Sequence, residues 1–410
     1  MIDRLLARRD RLPRVVNRMI DHVADHPMGL AGRIAARRLG KPAGQDATPV
    51  SRVEPALRRV LIAPVNYSGQ ARAWARALER VDPELRAVNM AVDVPGGFSF
   101  PADLVVSVPV YNNGRRWQDA QLAAVTSGFT HVLIEAEEPL FGRRFGRDAA
   151  AEQRVLTEAG VDVAFMAHGT DVRLPSGHRE RTPWSRYRDE DFYTDRLERL
   201  AVRNRRIVEE SGRPAFVSTP DLVDDLPTAR WCPVVVDLDH WRAPDIAEHG
   251  GALRVVHSPT NPRLKGTDRV EPILAELEAR GVVRYSRIEG VPWARMPEAF
   301  AQADVVLDQF RLGSYGVAAC EAMAAGRVVI GHVTPEVRAR VQRDSGRALP
   351  IVEATPDTIG EVLERLAGDR GELIRIAREG REFVRVVHDG RMSARVLREE
   401  WLSPGAEEGK

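Results

Sequence analysis

Short apolar segments alternate with helical segments along most of this 410-residue chain. The segments RRVLIAP, LRAVNMAV, DLVVSVPV, THVLIEA and VDVAFMAHG predict strands, and segments such as GQARAWARALERV and WQDAQLAAVTSG predict the helices between them. Such alternation is typical of crossover units, in which parallel strands form a sheet that helices cover on both faces. The chain is therefore predicted to be an α/β protein.

The alternation stops near residues 241–251 and starts again with LRVVHSP. Two alternating halves predict two doubly wound, Rossmann-like domains that face each other across a central cleft. Ligands of such sheets bind at the carboxyl ends of the strands. We predict a helical extension and linker at 1–45, a first domain at 46–245, a second domain at 246–385, and a closing helix at 386–410 that packs back toward the first domain.

The first 40 residues carry an apolar stripe at helical spacing, with arginines on the other face. Two interpretations are open: a surface helix that contacts anionic lipid, or a helix docked on its own domain, which we prefer. Pro13 interrupts the pattern, and GKPAGQDATP predicts a linker. The stripe consists of Ile2, Leu5, Leu6, Leu12, Val16, Met19, Ile20 and Val23.

Composition excludes several classes of protein. A net charge of +1 argues against a nucleic-acid binder, and Cys232 and Cys320 match no metal or disulfide spacing. No apolar run is long enough for a membrane span or a signal peptide. We therefore predict a cytoplasmic protein, with the first helix as an alternative peripheral membrane contact.

Two Asp-x-Asp sequences, Asp189 to Asp191 and Asp237 to Asp239, match the loose pattern with which some transferases bind Mg²⁺ or Mn²⁺. One lies in a highly charged run and the other between the two halves, so we interpret both as solvated surface. We predict no bound metal and no cofactor.

Lys265 is conspicuous because the chain has only three lysines beside 57 arginines. The other two, Lys41 and Lys410, lie in the predicted linker and at the last position. Lys265 is predicted to lie on a loop that leaves a strand, where an ammonium can act as a point charge on a diphosphate. The glycines before it do not form a Walker A pattern. We expect Lys265→Ala to weaken diphosphate binding with little loss of stability.

The segment LGSYGVAACEAMAAG predicts a second part of the same site. Gly313 and Gly316 predict a tight turn, and the helix that starts near Gly316 offers unpaired N–H groups that a phosphate would fit. Glu321 follows among small apolar residues, where a carboxylate needs a hydrogen-bond or ion-pair partner. Ribose hydroxyls and an arginine from another helix both remain open as that partner, and a third alternative is that Glu321 faces solvent.

These segments resemble the family 4 retaining glycosyltransferases of GT-B fold. HSPTNPRLKGT, ADVVLDQFRLGSYGVAACEAMAAGRVVI and REFVRVVHDGRMSARVLREEWL carry the resemblance, which covers most of Arg58 to Leu402. It implies two Rossmann-like domains, with a nucleotide sugar as donor substrate on the second and an unknown acceptor on the first. It also implies transfer to an acceptor hydroxyl with retention and without metal.

Carried over by position, the resemblance assigns a role to several residues. Lys265 would bind the donor diphosphate and Glu321 the ribose hydroxyls. Backbone at Tyr315, Gly316 and Val317 would meet the phosphates. His168 and Asp171, after the strand VDVAFMA, would be catalytic residues that face the donor sugar or acceptor, although a structural histidine and a turn-capping aspartate are the alternatives.

The chain departs from the family pattern in three places. Gly313 stands where the family has a glutamate that holds the donor sugar. His257 and Ser258 replace a Gly-Arg pair, whose charge Arg263 could supply. Glu137 or Glu138 stands where some members have a histidine.

Asp308 and Gln309 close the strand before the glycine turn. They could contact the donor sugar where the missing glutamate would have been, or Asp308 could cap local backbone. On the first domain, Tyr67, Ser68 and Gly69 follow the first strand and are predicted with Glu137 to meet the acceptor.

Two other hypotheses remain open. Because of Gly313, the chain could be a protein of GT-B fold that binds nucleotide sugars without transferring them. A nucleotide-sugar epimerase on the same fold is the third. All three hypotheses have a nucleotide sugar as partner, and none has a nucleic acid.

Overall fold

The structure is a computed structural model that describes residues 14–38, 40–94, 100–189, 194–247, 251–259 and 261–402. Its first half forms one parallel sheet of seven strands in the order β3-β2-β1-β4-β5-β6-β7. The strands are β1 (Arg58–Ala63), β2 (Leu85–Asp93), β3 (Leu104–Ser107), β4 (His131–Glu135), β5 (Asp162–Ala167), β6 (Ala215–Val217) and β7 (Arg230–Trp231).

Helices lie before and between these strands. They are α1 (Arg14–Asp25), α2 (Leu30–Arg38), α3 (Gln70–Val81), α4 (Val108–Asn113), α5 (Arg115–Gly128), α6 (Ala149–Glu158), α7 (Pro175–Arg181) and α8 (Thr194–Ser211). Short 3₁₀ turns cover Tyr67–Gly69, Arg186–Arg188 and Pro220–Asp224.

The second half forms a parallel sheet of five strands in the order β12-β11-β10-β8-β9. The strands are β8 (Leu253–His257), β9 (Val283–Arg287), β10 (Val305–Leu307), β11 (Val328–Gly331) and β12 (Val352–Glu353). The helices are α9 (Pro262–Lys265), α10 (Thr267–Ala279), α11 (Met296–Ala301), α12 (Val317–Ala324), α13 (Pro335–Ser345), α14 (Ile359–Gly368), α15 (Arg370–Val387) and α16 (Arg391–Leu397). The 3₁₀ turn Trp293–Arg295 precedes α11, and a π-helical turn, Arg398–Leu402, follows α16.

The predicted α/β class with two parallel sheets is confirmed. The central strands of each sheet are buried and apolar, as in VLIA of β1 and VVIG of β11. A parallel sheet that is covered on both faces has no solvent-facing side for polar residues. The end of the chain returns to the first sheet, where Leu397 and Trp401 are buried in one apolar cluster with Val60 and Trp74.

One predicted strand is shorter in the structure. The segment DLVVSVPV forms a strand only from Leu104 to Ser107, and α4 begins at Val108 with Pro109 in its first turn. Proline cannot donate a hydrogen bond to the sheet, but its fixed φ suits the first turn of a helix. Pro109 therefore converts the end of the apolar run into a helix.

The N-terminal helices are attached to the first domain mainly by polar contacts. The Arg196 Nε of α8 lies 2.9 Å from an oxygen of Asp25, and Asn113 Nδ2 donates to the carbonyl of Ala36 at 2.8 Å. The described part of the apolar stripe is only partly covered, since Met19 and Val16 are 66% and 38% exposed whereas Ile20 and Val23 are half-buried. Ile2, Leu5, Leu6 and Leu12 of that stripe lie outside the described residues. No helix in the described ranges is long and apolar enough to cross a membrane.

Candidate nucleotide-sugar site

Each sheet has one point at which the strand order reverses, and the candidate residues lie there. In the second sheet this point is between β8 and β10, where His257 pairs with Leu307. In the first sheet it is between β1 and β4, where Ala63 pairs with Ile134. Crevices of α/β sheets open at these points because the connections leave in opposite directions.

Lys265 lies at the reversal point of the second sheet and forms an ion pair there. Its Nζ is 2.5 Å from Oδ1 of Asp308, the residue that follows β10. The Asp308 side chain is 2% exposed, and its Oδ2 has no hydrogen-bond partner among the described residues. Asp308 is thus a buried counterion of Lys265 rather than a backbone cap.

Lys265 was predicted to lie on an open loop, but it is the last residue of the single helical turn α9. The Asn261 side chain accepts from the Leu264 N–H at 3.3 Å, Pro262 is the first helical residue, and Gly266 follows at φ +79°. An asparagine cap, a proline at the first position and a left-handed glycine are the ordinary start and stop signals of a helix. They hold the lysine side chain at a defined place.

His257 is a structural residue beside this pair. Its ring nitrogens lie 2.9 Å from the Leu307 carbonyl and 2.8 Å from the Thr267 hydroxyl, and the side chain is fully buried. Burial lowers the pKa of His257 to about 4, so the ring is neutral at pH 7. It cannot supply the cationic charge of the family's Gly-Arg pair.

Gly313 is required by the backbone and by close packing. Its φ is +68°, and a Cβ there would lie 2.6 Å from Cγ2 of Thr334. A glutamate cannot replace it without moving that threonine. The departure from the family pattern at Gly313 is therefore built into the fold of this turn.

Gly316, three residues after Gly313, is not constrained by close packing. Its backbone is extended, and no heavy atom of the described residues lies within 4 Å of a Cβ built there. It caps α12 without a side-chain hydrogen bond, so the first N–H groups of the helix, from Val317 onward, have no side-chain cap. The open space in front of these N–H groups fits a phosphate.

The two glycines give a matched test. We expect Gly313→Ala to lower the free energy of unfolding by about 1–3 kcal/mol, because alanine is strained at positive φ and clashes with Thr334. Gly316→Ala should leave stability within about 0.5 kcal/mol, since surface-like substitutions in open space cost little. Urea unfolding of both variants measures this. Equal effects would show that the turn is not constrained as described.

Glu321 projects from α12 into the cleft between the domains. Its Oε1 accepts a hydrogen bond from the indole Nε1 of Trp293 at 2.9 Å, and not from an arginine. Burial raises the pKa of Glu321 to about 8, while Trp293 and the charge of Lys265 act in the opposite direction. Lys265 lies close enough for its charge to act on this carboxylate.

The other predicted donor residues lie around this pair with different functions. Gln309 donates to the carbonyl of Ser314 at 2.6 Å and so supports the glycine turn. The Tyr315 hydroxyl is buried 3.3 Å from Nε2 of His388, so only its backbone can meet a ligand. Ser258 is half-buried and Arg263 is exposed.

On the first domain, the predicted acceptor turn begins the helix α3. Ser68 and Gly69 both have positive φ, at 52° and 73°. Residues 232–247, which follow β7, form the interdomain linker. The amide of Gln70 anchors this turn to that linker through two hydrogen bonds with the backbone of Val235, at 2.6 and 3.0 Å. Tyr67 is 53% exposed.

His168 lies at the end of β5, and its contacts are aromatic and acidic. Its ring lies between Tyr67, at 5.2 Å, and Trp74, at 5.7 Å, and its Nε2 is 3.2 Å from Oε1 of Glu135. Burial raises the pKa of Glu135, the last residue of β4. The structure thus places an imidazole–carboxylate pair at the carboxyl ends of β4 and β5.

Asp171 has a structural function in this turn. Its carboxylate accepts hydrogen bonds from the backbone N–H groups of His168, at 2.7 Å, and Gly169. The residue is only 9% exposed. Asp171 therefore caps the turn and orients His168, which is the alternative to the predicted catalytic function.

Glu137 is a buried carboxylate of the first domain. It is 4% exposed, and neither oxygen has a hydrogen-bond partner among the described residues. Burial and the nearby charge of Asp171 raise its pKa well above the usual value. Ala136 and Glu137 also have positive φ, at 55° and 52°. Strain and lost solvation at one residue are typical of a functional position.

Three of the predicted site residues line one cavity of about 390 Å³ between the domains. Ser68 and Gly69 line it from the first domain and Glu321 from the second, with Trp241 from the interdomain linker, whereas Lys265, His168 and Glu137 are not among its lining residues. Three arginines at a spacing of four residues, Arg72, Arg76 and Arg80, extend it along α3. This cavity can hold a ligand that contacts both domains.

The two Asp-x-Asp sequences are engaged in other contacts. Asp189 accepts two hydrogen bonds from Arg311, at 2.5 and 2.7 Å, and so bridges the domains instead of facing solvent; Asp191 lies outside the described residues. Asp237 caps its own turn by accepting from the N–H of Asp239. No group of three or more His, Cys, Asp or Glu side chains comes together as a metal site within the described ranges.

Trp293, Glu135 and the arginines of α3 were not predicted from the sequence. Glu135 had a signal, because it is the single carboxylate in the apolar strand HVLIE. Trp293 had none, since its partner Glu321 lies 28 residues away and is reached only through the tertiary fold.

Solved structures of the same architecture align with this chain over nearly their whole length. HepE of Anabaena, in complex with UDP and glucose, is 10% identical, with a TM-score of 0.52 over 83% of this chain and 98% of that chain. A sucrose-phosphate synthase of Thermosynechococcus elongatus is 11% identical, with a TM-score of 0.53 over 83% and 97%. WaaG, a glycosyltransferase involved in lipopolysaccharide biosynthesis, is 13% identical, with a TM-score of 0.50 over 85% and 100%.

No family model matches the sequence. No curated protein matches it either. The structural likeness shows that the chain has the GT-B fold, whereas membership of family 4 stays a prediction.

Proposed function

We propose that this protein is a glycosyltransferase that moves a sugar from a nucleotide-diphosphate sugar to an acceptor hydroxyl with retention and without a metal. The observation that carries the proposal is the convergence of Lys265, the open N-terminus of α12 and Glu321 at one edge of the second sheet. HepE, which has the same fold, was solved with UDP and glucose. A diphosphate between Lys265 and α12 and a ribose on Glu321 match the chemistry of such a donor.

In the proposed reaction, the bond between the anomeric carbon and the diphosphate oxygen breaks, and the acceptor oxygen bonds to that carbon on the same face. The acceptor proton passes to the departing diphosphate. Lys265 would stabilise the charge that develops on the diphosphate, and the N–H groups at the start of α12 would add to this. Lys265 must then exchange its contact with Asp308, at 2.5 Å, for one with the phosphate.

The acceptor would occupy the part of the cavity next to Ser68 and Gly69. His168, held by Glu135 and by the turn that Asp171 caps, would position the reacting sugar from the first domain. Glu137 would accept a hydrogen bond from a substrate hydroxyl in its otherwise unsatisfied site.

A second candidate is a GT-B protein that binds nucleotide sugars without transferring them. The constrained backbone of Gly313 favours it, because no carboxylate can hold the donor sugar at that position. Asp308, five residues earlier, is the nearest buried carboxylate in the sequence, but it is paired with Lys265.

The test begins with thermal shifts in UDP, GDP, ADP and dTDP and in the corresponding nucleotide sugars. Release of free nucleoside diphosphate with a broad set of acceptors then measures transfer, and proton NMR of the product gives the anomeric configuration. We expect transfer with retention that persists in EDTA. Binding without transfer would support the second candidate, interconversion of donor sugars would indicate an epimerase, and no binding at all would refute all three.

A further inference from the structure

Trp293 lies where the second domain, the linker and the first domain meet. Its indole N–H donates to Oε1 of Glu321 at 2.9 Å. Its ring is stacked on His240 of the linker, with centroids 4.2 Å apart and planes 20° apart. The ring of Phe100, from the first domain, lies in an edge-to-face arrangement with it, with centroids 6.1 Å apart. One side chain thus connects the candidate ribose carboxylate with both other parts of the cleft.

The hydrogen bond occupies only one of the two carboxylate oxygens. No hydrogen bond from the described residues reaches Oε2 of Glu321, and Glu321 and Trp293 both line the 390 Å³ cavity. A carboxylate whose first oxygen is held by a rigid indole has a fixed rotamer, so its second oxygen points to a defined place. Preorganised groups of this kind bind more tightly because less freedom is lost on binding.

We propose that Trp293 is a positioning residue of the ribose site: it holds Oε1 of Glu321 so that Oε2 receives the ribose hydroxyls. Its stack with His240 and its contact with Phe100 fix the indole in turn. The inference rests on the proposed function and deepens it, because it assigns a residue that acts on the nucleotide through Glu321. The loop between β9 and α11 thereby contributes to recognition of the ribose.

Ionisation of Glu321 is part of this arrangement. The indole N–H favours the ionised carboxylate, since it lowers a pKa that burial raises to about 8. An ionised carboxylate accepts stronger hydrogen bonds from hydroxyls than a neutral acid does. Nucleotide affinity should therefore rise with pH up to this pKa. The charged or titratable groups around Glu321 are Lys265, Cys320, Asp237, Asp239, His240, Arg72, Arg76 and Arg80.

The test is a double-mutant cycle on the affinity for the nucleoside diphosphate that shifts melting most among UDP, GDP, ADP and dTDP. Trp293→Phe keeps an aromatic ring but removes the N–H. At pH 9, where Glu321 is ionised, we expect binding to weaken about tenfold or more, the loss of one hydrogen bond to a charged group. In a Glu321→Gln background the same change should have less than a twofold effect. The half-buried Trp184, which does not line the cavity, gives the control Trp184→Phe.

Two further readouts separate positioning from a general structural effect. The pH at which affinity reaches its plateau should move upward in Trp293→Phe, because Glu321 loses the donor that favours its ionised form. In the protein without nucleotide, tryptophan fluorescence should titrate near pH 8 and lose this transition in both Trp293→Phe and Glu321→Gln.

The outcomes distinguish the two levels of the hypothesis. Nucleotide binding that Trp293→Phe leaves unchanged at every pH, or weakens equally in the Glu321→Gln background, would refute the positioning role and leave the proposed function standing. A fluorescence transition without binding of any nucleoside diphosphate would refute the proposed function and the ribose role together.

Discussion

Lys265→Ala should weaken the binding of nucleoside diphosphates about 100-fold, because it removes a cation that is held at the diphosphate position with its side chain only 15% exposed. Isothermal titration with UDP, GDP, ADP and dTDP measures the loss. Lys41, an exposed lysine of the N-terminal linker, gives the control Lys41→Ala, which should bind as the wild type does. Unchanged affinity in Lys265→Ala would show that the diphosphate does not bind at Lys265.

The structure changes what this substitution should do to stability. From the sequence we expect little loss of stability, but removal of Lys265 leaves Asp308 buried without its counterion. We expect the free energy of unfolding to fall by about 1–3 kcal/mol, as for other uncompensated buried charges. The double variant Lys265→Ala/Asp308→Asn should recover most of that stability while nucleotide binding stays lost. Recovery of binding together with stability would mean that the single variant was only misfolded.

Glu321→Gln should weaken nucleotide binding at least tenfold and at the same time stabilise the protein above neutral pH. Glutamine has the same shape and can still accept from Trp293, but it cannot offer two charged acceptors to ribose hydroxyls. The glutamine variant should be more stable than the wild type because the half-buried carboxylate of Glu321 loses hydration on folding, whereas a neutral amide loses less. A variant that is more stable but binds less well is the expected signature of a carboxylate kept for function.

The pH dependence gives the sign of this effect. The pKa of Glu321 is about 8 in the folded protein and 4.5 in the unfolded chain, so the folded state holds the proton more strongly. The contribution of this group to the free energy of unfolding is fully present below about pH 4.5 and is lost as pH rises toward 8. Glu321→Gln should therefore equal the wild type near pH 4.5 and exceed it by about 2–4 kcal/mol at pH 8.5.

Urea unfolding at pH 5 and pH 8.5 measures the difference. Glu276, on the same domain with its side chain 73% exposed, gives the control Glu276→Gln, which should show no pH-dependent gain. If Glu321→Gln were less stable than the wild type at pH 8.5, the carboxylate would have a structural partner and would not be reserved for a ligand.

Much of the fold could be predicted because its signals are local. A run of apolar residues with no polar face predicts a strand buried on both sides, and strands that alternate with helices predict parallel sheets. The start and stop signals in NPRLKG were also readable, although the helix α9 that they form was missed. DLVVSVPV was predicted too long because the apolar pattern continues past Ser107, and Pro109 ends the strand through its missing N–H.

The sequence by itself determined which residues follow the strands, and hence that Lys265, Glu321, Tyr67 to Gly69 and His168 would lie at the carboxyl edges of two sheets. Only the tertiary structure decided which side chains meet there. Lys265 and Asp308 are 43 residues apart, Trp293 and Glu321 are 28 apart, and His168 reaches Glu135 across neighbouring strands. The periodicity of apolar residues indicates whether each segment is buried on one side or on both. The contacts between segments depend on the order of strands in a sheet and on how the two domains face each other, and neither can be read from that periodicity.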